Sequence, residues 1–209
     1  MNKEIGDKTF PIWLLGDSNP RNWQDELDSP LDPRHPARHN IWTPILDVMQ
    51  DTVFRERRIR VDTSSLYIRN AIESPADKPK SSSKVWPQKV EAEVQTFRQL
   101  INDYQPIFVI SFGAFSFEFA RRAFNMTPAQ HYGYWTTKKL GDAFRQNLKL
   151  SQMKTTLIPL LHTSIARRWF VQSHNYFCND ANSNYFTYAG TLLAKKILEH
   201  ADVLHIWIA

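Results

Sequence analysis

The amino-acid sequence predicts an α/β fold in three layers, in which a central, mainly parallel four-stranded sheet lies between helices. Two observations lead to this prediction. Four short apolar runs have the length and character of buried strands, and segments with helical periodicity separate them along the chain. Strands and helices in alternation are typical of a parallel sheet that carries helices on both faces.

The four predicted strands are short, largely apolar runs. They cover residues 11–16 (PIWLLG), 65–72 (SLYIRNAI), 107–113 (IFVISFG) and 156–162 (TLIPLLH). Continuous runs of this kind are typical of strands that are buried on both faces, since a strand with one solvated face alternates apolar and polar residues.

Helices are predicted where apolar residues recur at helical spacing. In residues 90–104 these positions place Val90, Val94 and Phe97 on one stripe. The other predicted helices cover residues 40–49, 114–124, 141–150 and 185–200, and a short apolar tail at 203–208 follows them. Residues 21–38 and 73–84 are rich in proline and polar residues and are expected to be irregular. Arg121 and Arg122 are expected to be solvated helix charges.

Length and composition predict one domain, residues 1–209, in the cytoplasm. A chain of 209 residues is long enough to bury a single core. We expect no membrane partner, because the sequence holds no run of eighteen apolar residues and its first eight residues are polar, unlike a signal peptide. The net charge of +5 favours polyanions such as DNA as partners.

The cysteine and histidine residues predict neither a metal site nor a cofactor. Cys178 is the only cysteine, so the chain cannot form an internal disulfide or ligate an iron–sulfur cluster by itself. His35, His39 and His131 lack the fixed spacing of metal ligands.

Polar residues follow the predicted strands at their carboxyl ends. The first strand leads into Gly16-Asp17-Ser18-Asn19-Pro20, the second contains Asn70, and the fourth ends in His162-Thr163-Ser164. Open parallel sheets bind their ligands beyond the carboxyl ends of the strands. We therefore expect these side chains to meet in one site.

These segments resemble the motifs of the uracil-DNA glycosylase superfamily. The resemblance rests on LLGDSNP at 14–20, LYIRN at 66–70, PIFVISFGA at 106–114 and IPLLHTS at 158–164, in that order. The segment 38–42 (RHNIW) also resembles the start of the helix that follows the family's first loop. The resemblance spans roughly residues 10 to 170, and it implies an enzyme that hydrolyses the N-glycosidic bond of a uracil-type base flipped out of DNA.

The reaction assigns roles to four of these residues. Breaking a base–sugar bond places positive charge on the sugar and negative charge on the departing base. Asp17 can take a proton from water or stabilise the cationic sugar, and Asn19 can orient the water. The resemblance implies that His162 donates a hydrogen bond to the leaving base. The amide of Asn70 suits the edge of a flipped pyrimidine.

Further residues are candidates for contacts with DNA and with the flipped base. Trp23 and Trp42 are candidates for an aromatic face against the base. The candidates for phosphate contacts are Ser18, Ser164, Arg167 and Arg168, and Ile165 is a candidate for filling the gap in the base stack.

Two alternatives remain open, one from departures in the motifs and one from the likeness of Gly16-Asp17-Ser18 and of the spacing of Asp202 and His205 to the GDS-type esterases. Asp17-Ser18-Asn19-Pro20 leaves open which residue positions water, and Thr163 replaces the proline that commonly follows the histidine, so a non-catalytic relative that binds DNA or another ligand is one alternative. The other is a GDS-type serine esterase, in which Ser18, Asp202 and His205 form the triad.

Overall fold

Strands and helices alternate along the chain in the structure, a computed structural model that describes residues 1–23, 26–150, 154–162 and 170–209. The strands are β1 (Glu4–Ile5), β2 (Ile12–Ser18), β3 (Arg60–Val61), β4 (Tyr67–Ile72), β5 (Phe108–Phe112), β6 (Thr156–Leu160) and β7 (Trp207–Ile208). The helices are α1 (Thr43–Arg57), α2 (Gln88–Tyr104), α3 (Ala114–Ala123), α4 (Thr137–Leu148), α5 (Phe170–Cys178), α6 (Tyr185–Leu198) and α7 (Ala201–Leu204). The predicted α/β class is confirmed.

The main sheet is mixed and has five strands, in the order β1-β4-β2-β5-β6. Strands β4, β2, β5 and β6 pair in parallel and coincide with the four apolar runs of the sequence. The fifth strand, β1, pairs antiparallel with β4 and places Glu4 opposite Arg69. The prediction of four strands was wrong in this respect, because a two-residue strand is too short to produce a sequence pattern. A separate ladder joins β3 to β7.

Helices pack against both faces of the main sheet. The ring of Trp13 in β2 contacts Phe97 of α2, with 6.1 Å between ring centroids. Phe112 in β5 points to the opposite face and contacts Trp42, which immediately precedes α1, also at 6.1 Å. Since successive strand residues point to opposite faces, continuous apolar runs are needed to bury both.

The helices begin and end where local side chains satisfy the backbone. Asn184 starts α6, because its Oδ1 accepts hydrogen bonds from the backbone N–H groups of Phe186 (2.9 Å) and Thr187 (3.2 Å). Thr136 caps α4, which therefore begins four residues before the predicted start at 141. In α2 the predicted stripe of Val90, Val94 and Phe97 is buried. No helix in the described residues is long and apolar enough to cross a membrane.

Arg121 and Arg122 belong to a buried charge cluster. The expectation that they are solvated helix charges was wrong. Glu118 of α3 is fully buried and accepts from Nη1 of Arg121 at 2.8 Å and from Nε1 of Trp135 at 2.7 Å. The guanidinium of Arg122 bonds Glu91 and lies 3.7 Å from the ring centroid of Trp86. The cluster ties α3 to residues 128–136, which the sequence pattern leaves without a periodic signal.

The strand order creates a topological switch point between β2 and β5. From β2 the chain passes through α1 to β4 on one side, and from β5 it passes through α3 and α4 to β6 on the other side. Connections that diverge in this way leave a crevice beyond the carboxyl ends of the two neighbouring strands, where α/β sheets bind ligands. The segment that follows β2 is Asn19-Pro20, and Gly113 follows β5.

Candidate functional site

A cavity of about 300 Å³ lies at this switch point. Its walls are mostly apolar and include Leu14, Ile41, Ile68 and Phe112. Six polar or charged side chains also line it: Asp17, Ser18, His35, Asn70, Lys78 and His162. An apolar pocket with a few convergent polar groups is the usual form of a small-molecule site, and this volume is at the small end of the range of about 300–1,000 Å³.

The cavity brings together four of the residues predicted from the sequence. Asp17 and Ser18 come from the end of β2, Asn70 from β4, and His162 from the segment that follows β6. They are far apart in the chain and meet because the carboxyl ends of parallel strands lie at one edge of the sheet. The structure thus places these four in one site, and their chemical roles stay predictions.

Asn70 is held in a fixed orientation by Asn19 and Gly16. Its Nδ2 donates a 2.7 Å hydrogen bond to Oδ1 of Asn19, and its backbone N–H donates to the carbonyl of Lys3 at 2.9 Å. Its Oδ1 lies over Gly16, where an added Cβ would be only 2.2 Å away. Because Asn19 takes one amide proton of Asn70, the Asn70 amide cannot rotate without losing that bond.

Asn19 lies behind the cavity wall. Its side chain is buried, with only 2% of the residue exposed, and its backbone N–H donates to the carbonyl of Glu73 at 3.1 Å. Its Oδ1 is already engaged by Asn70. Asp17 lines the cavity and Asn19 does not. Of the two candidates for positioning water, the geometry therefore favours Asp17.

Lys78 is a cavity residue that the sequence pattern did not indicate. Its Nζ forms an ion pair with Oδ2 of Asp17. The same ammonium lies 5.0 Å from the ring centroid of Phe115 and 5.1 Å from that of Tyr132. Lys78 belongs to the irregular segment 73–84, where neither periodicity nor a motif points to a role, and only the fold brings it to Asp17.

His162 packs closely against Gly113. Gly113 has φ +92°, a conformation that L residues rarely adopt, and an added Cβ there would be 2.7 Å from Cβ of His162. Burial lowers the pKa of the His162 imidazole, Asp17 raises it, and Lys78 lowers it. Since burial is the largest of these effects, the ring is neutral near pH 7 and carries one N–H donor.

The outer wall of the cavity comes from residues 30–37, within the segment predicted to be irregular. Leu31 and His35 line the cavity, and Asp32 between them is buried. The carboxylate of Asp32 accepts from the backbone N–H of Arg34 at 2.9 Å and from its Nη2 at 2.7 Å. These bonds hold the pKa of Asp32 well below its usual range and fix the wall in place.

Among the remaining predicted contacts, only Trp42 has a described side chain. Trp42 is buried against Phe112 and does not line the cavity, so Phe112 is the aromatic ring that a ligand would meet. For Trp23 only the backbone is described, in a short 3₁₀ turn. The candidates Ser164, Ile165, Arg167 and Arg168 lie outside the described residues.

The esterase triad does not form in this fold. Ser18 is the last residue of β2. Ile12, the first residue of β2, lies six residues away and pairs with Phe108 at the amino ends of the strands. The ring centroid of His200, just before α7, lies 5.2 Å from that of Phe108, which places Asp202 near the amino ends of the strands. Six strand residues span about 20 Å, whereas a triad requires hydrogen-bond contact. His205 is exposed.

Comparison with known proteins leaves the resemblance as a prediction. No protein-family model matches the chain, and no curated protein matches it in sequence. Among the described residues, histidine, cysteine and carboxylate side chains form no group of three or more that could hold a metal ion. The functional argument therefore rests on the geometry of the cavity.

Proposed function

We propose that the cavity receives a uracil-type base flipped out of DNA and that the protein hydrolyses the N-glycosidic bond of that base. The observation that carries this proposal is the convergence of Asp17, Asn70 and His162 on one small apolar cavity. Each of these residues belongs to one of the sequence motifs that resemble the uracil-DNA glycosylases. A reaction that separates charge between sugar and base needs this combination of a carboxylate, an amide and a neutral donor.

The cavity walls suit a planar ring. Leu14, Ile68 and Phe112 provide apolar surface, and the volume of about 300 Å³ limits the ligand to a small group. Enzymes that act on a base in DNA bind the extruded base between apolar side chains and read its edge by hydrogen bonds. Asn70 is the residue for that reading, since Asn19 fixes the positions of its oxygen and nitrogen.

In the proposed reaction Asp17 acts on the sugar side of the breaking bond, and His162 acts on the base side. Water adds its oxygen to the anomeric carbon of the sugar, and the electron pair of the glycosidic bond leaves with the base. The Asp17 carboxylate stabilises the cationic sugar and accepts the proton of the attacking water. The neutral imidazole of His162 donates a hydrogen bond to the base oxygen on which negative charge develops.

DNA is the proposed polymer partner. The net charge of +5 favours a polyanion, and Ser18 lies at the cavity where a backbone phosphate next to the flipped nucleotide would pass. Ser164, Ile165, Arg167 and Arg168 are proposed to contact the strand from the segment that follows His162. On this proposal the chain is a divergent relative of the uracil-DNA glycosylases that acts on DNA within the cytoplasm.

A second candidate is a relative of the same fold that binds a base or DNA without cleaving it. The observation in its favour is that Asp17 forms an ion pair with Lys78, which partly neutralises the carboxylate that the reaction needs. In that case the cavity would keep its apolar walls and Asn70 but would lack a strong base.

Cleavage of labelled oligonucleotides that carry uracil, hypoxanthine or xanthine separates these candidates. After alkali treatment, strand breaks at the modified base that are lost in Asp17→Asn support excision. DNA binding with a steep salt dependence and no breaks on any substrate supports the non-catalytic relative. No binding to any DNA contradicts both.

A further inference from the structure

Lys78 is anchored in the cavity from three directions. A short 3₁₀ turn, Pro75–Asp77, precedes it, and Ser74 caps that turn by accepting from the backbone N–H of Ala76 at 3.2 Å. The ammonium then lies beside the rings of Phe115 and Tyr132, which contact each other, at 5.0 and 5.1 Å from their centroids. A cation held against two aromatic rings is directed more closely than one on a free side chain.

The two carboxylate oxygens of Asp17 have different surroundings. Oδ2 contacts Nζ of Lys78. Oδ1 is buried and accepts no hydrogen bond from the described residues. A buried carboxylate oxygen without a donor is costly, so such an atom is a natural acceptor for a donor that enters the cavity with a ligand. The side chain is only 13% exposed, and Asp17 lines the cavity.

We propose that Lys78 is a positioning residue, which holds Asp17 by Oδ2 and thereby aims Oδ1 at the water that attacks the sugar. This inference rests on the proposed function and deepens it by naming how the carboxylate is oriented. The pairing with Lys78 occupies one oxygen only, so Oδ1 is the oxygen left to accept the proton of the water. An oriented carboxylate loses less conformational freedom in the transition state than one that rotates.

Lys78 also acts on His162 through space. The positive charge of Lys78 lowers the pKa of the His162 imidazole, and the negative charge of Asp17 raises it. Tyr132 belongs to the same cluster, since burial and the charge of Asp17 both raise its pKa. Asp17, Lys78 and His162 therefore interact at the cavity, and His162 reports on the charges of the other two.

The opposite signs of these effects give a test that does not need enzymatic activity. An NMR titration of the His162 ring in the ligand-free protein should give a higher pKa in Lys78→Met than in the unaltered protein, and a lower one in Asp17→Asn. Lys80→Met is the matched control, because Lys80 is an exposed lysine of the same segment and should leave the titration unchanged. Unchanged values, or shifts of the same sign in both variants, would overturn the inference.

The kinetics of base excision, measured on an oligonucleotide that the protein cleaves, test the positioning role of Lys78 itself. Lys78→Met should lower kcat on the order of 100-fold with little change in KM, since misplacing a reacting group by about 1 Å has that effect. Lys78→Arg keeps the charge and should restore a large part of the rate. Equal losses in Lys78→Met and Lys78→Arg, or a loss in KM alone, would contradict a positioning role.

The two readouts separate the inference from the proposed function. If the unaltered protein excises no base, the proposed function fails, and the titration still tests whether Lys78 and Asp17 act on His162 as the ion pair requires. If Lys78→Met does not fold, Asp17→Asn and Lys78→Arg still give the predicted lower and near-normal pKa of His162. A failure of that pair overturns the inference.

Discussion

Gly16 is the position where the smallest change should disturb the cavity most. A Cβ added there would lie 2.2 Å from Oδ1 of Asn70, a separation that real Cβ atoms do not tolerate. The carbonyl of Arg69 is 3.8 Å away, at ordinary contact distance. Gly16→Ala should therefore displace one side chain, that of Asn70, and leave the strand backbone in place.

The cost follows from the hydrogen bond that Asn70 would lose. Displacing Asn70 breaks its 2.7 Å bond to Asn19 and leaves buried amide groups without partners. Leaving a buried polar group unsatisfied costs about 1–3 kcal/mol. With a urea m-value near 2 kcal/mol/M, Gly16→Ala should lower the midpoint of unfolding by roughly 1 M.

A double-mutant cycle isolates this contact. Urea unfolding is measured for Gly16→Ala, Asn70→Ala and the double variant, because in the Asn70→Ala background the added methyl meets no side-chain oxygen. Gly16→Ala should then cost less than about 0.5 kcal/mol, which gives a coupling energy of about 1–3 kcal/mol between the two sites. Additive effects would refute the close approach of Asn70 to Gly16.

Three further predictions concern strain, buried charge and pH. Gly113→Ala should lower Tm by roughly 2–12 °C in thermal unfolding, because the φ of +92° is strained for alanine and the methyl would meet His162; a normal Tm would contradict that geometry. Glu118→Ala should lower the free energy of unfolding by about 3–5 kcal/mol in urea, since it leaves the buried Arg121 without its carboxylate partner, whereas Asp51→Ala removes an exposed pair and should cost less than about 1 kcal/mol. Burial lowers the pKa of His174 from 6.5 to about 4, so the folded protein keeps this ring neutral while the unfolded chain takes up a proton. The free energy of unfolding should therefore fall as the pH drops from about 6.5 towards 4, and urea unfolding of His174→Gln should show a weaker fall.

The strands and the strand ends were predictable because their signals are local. Burial on both faces requires continuous apolar runs, and these runs fixed four strands to within two residues at each end. Asp17, Asn70 and His162 were found by the same reasoning, because each ends or lies in such a run. Parallel pairing then brings them together without any further information in the sequence.

Lys78, Glu118 and β1 were not predictable because their roles depend on distant partners. Lys78 meets Asp17 across 61 positions of the chain, and its own segment has no periodicity. Arg121 was expected to be solvated, because the helical pattern does not reveal that Trp135 and Pro128 lie against the pair it forms with Glu118. The two residues of β1 have a partner only because β4 presents a free edge.

The roles of Asn19 and Asp17 also required the structure. The sequence offered both residues for positioning water, since either side chain could follow β2 into a cavity. In the structure Asn19 is buried and bonded to Asn70, whereas Asp17 lies at the cavity wall. The hydrogen bond to Asn70 thus gives Asn19 a supporting role, and Asp17 keeps the proposed chemical one.

The rate of base excision in His162→Ala, compared with its affinity for the same DNA, tests the proposed reaction most directly. Under single-turnover conditions the rate should fall on the order of 100- to 1,000-fold, as for the loss of one donor to developing charge, while Kd stays within about threefold. His131→Ala is the control, since His131 is bonded to Ser81 away from the cavity. Equal losses of rate and affinity, or an unchanged rate, would contradict the assignment of His162 to the leaving base.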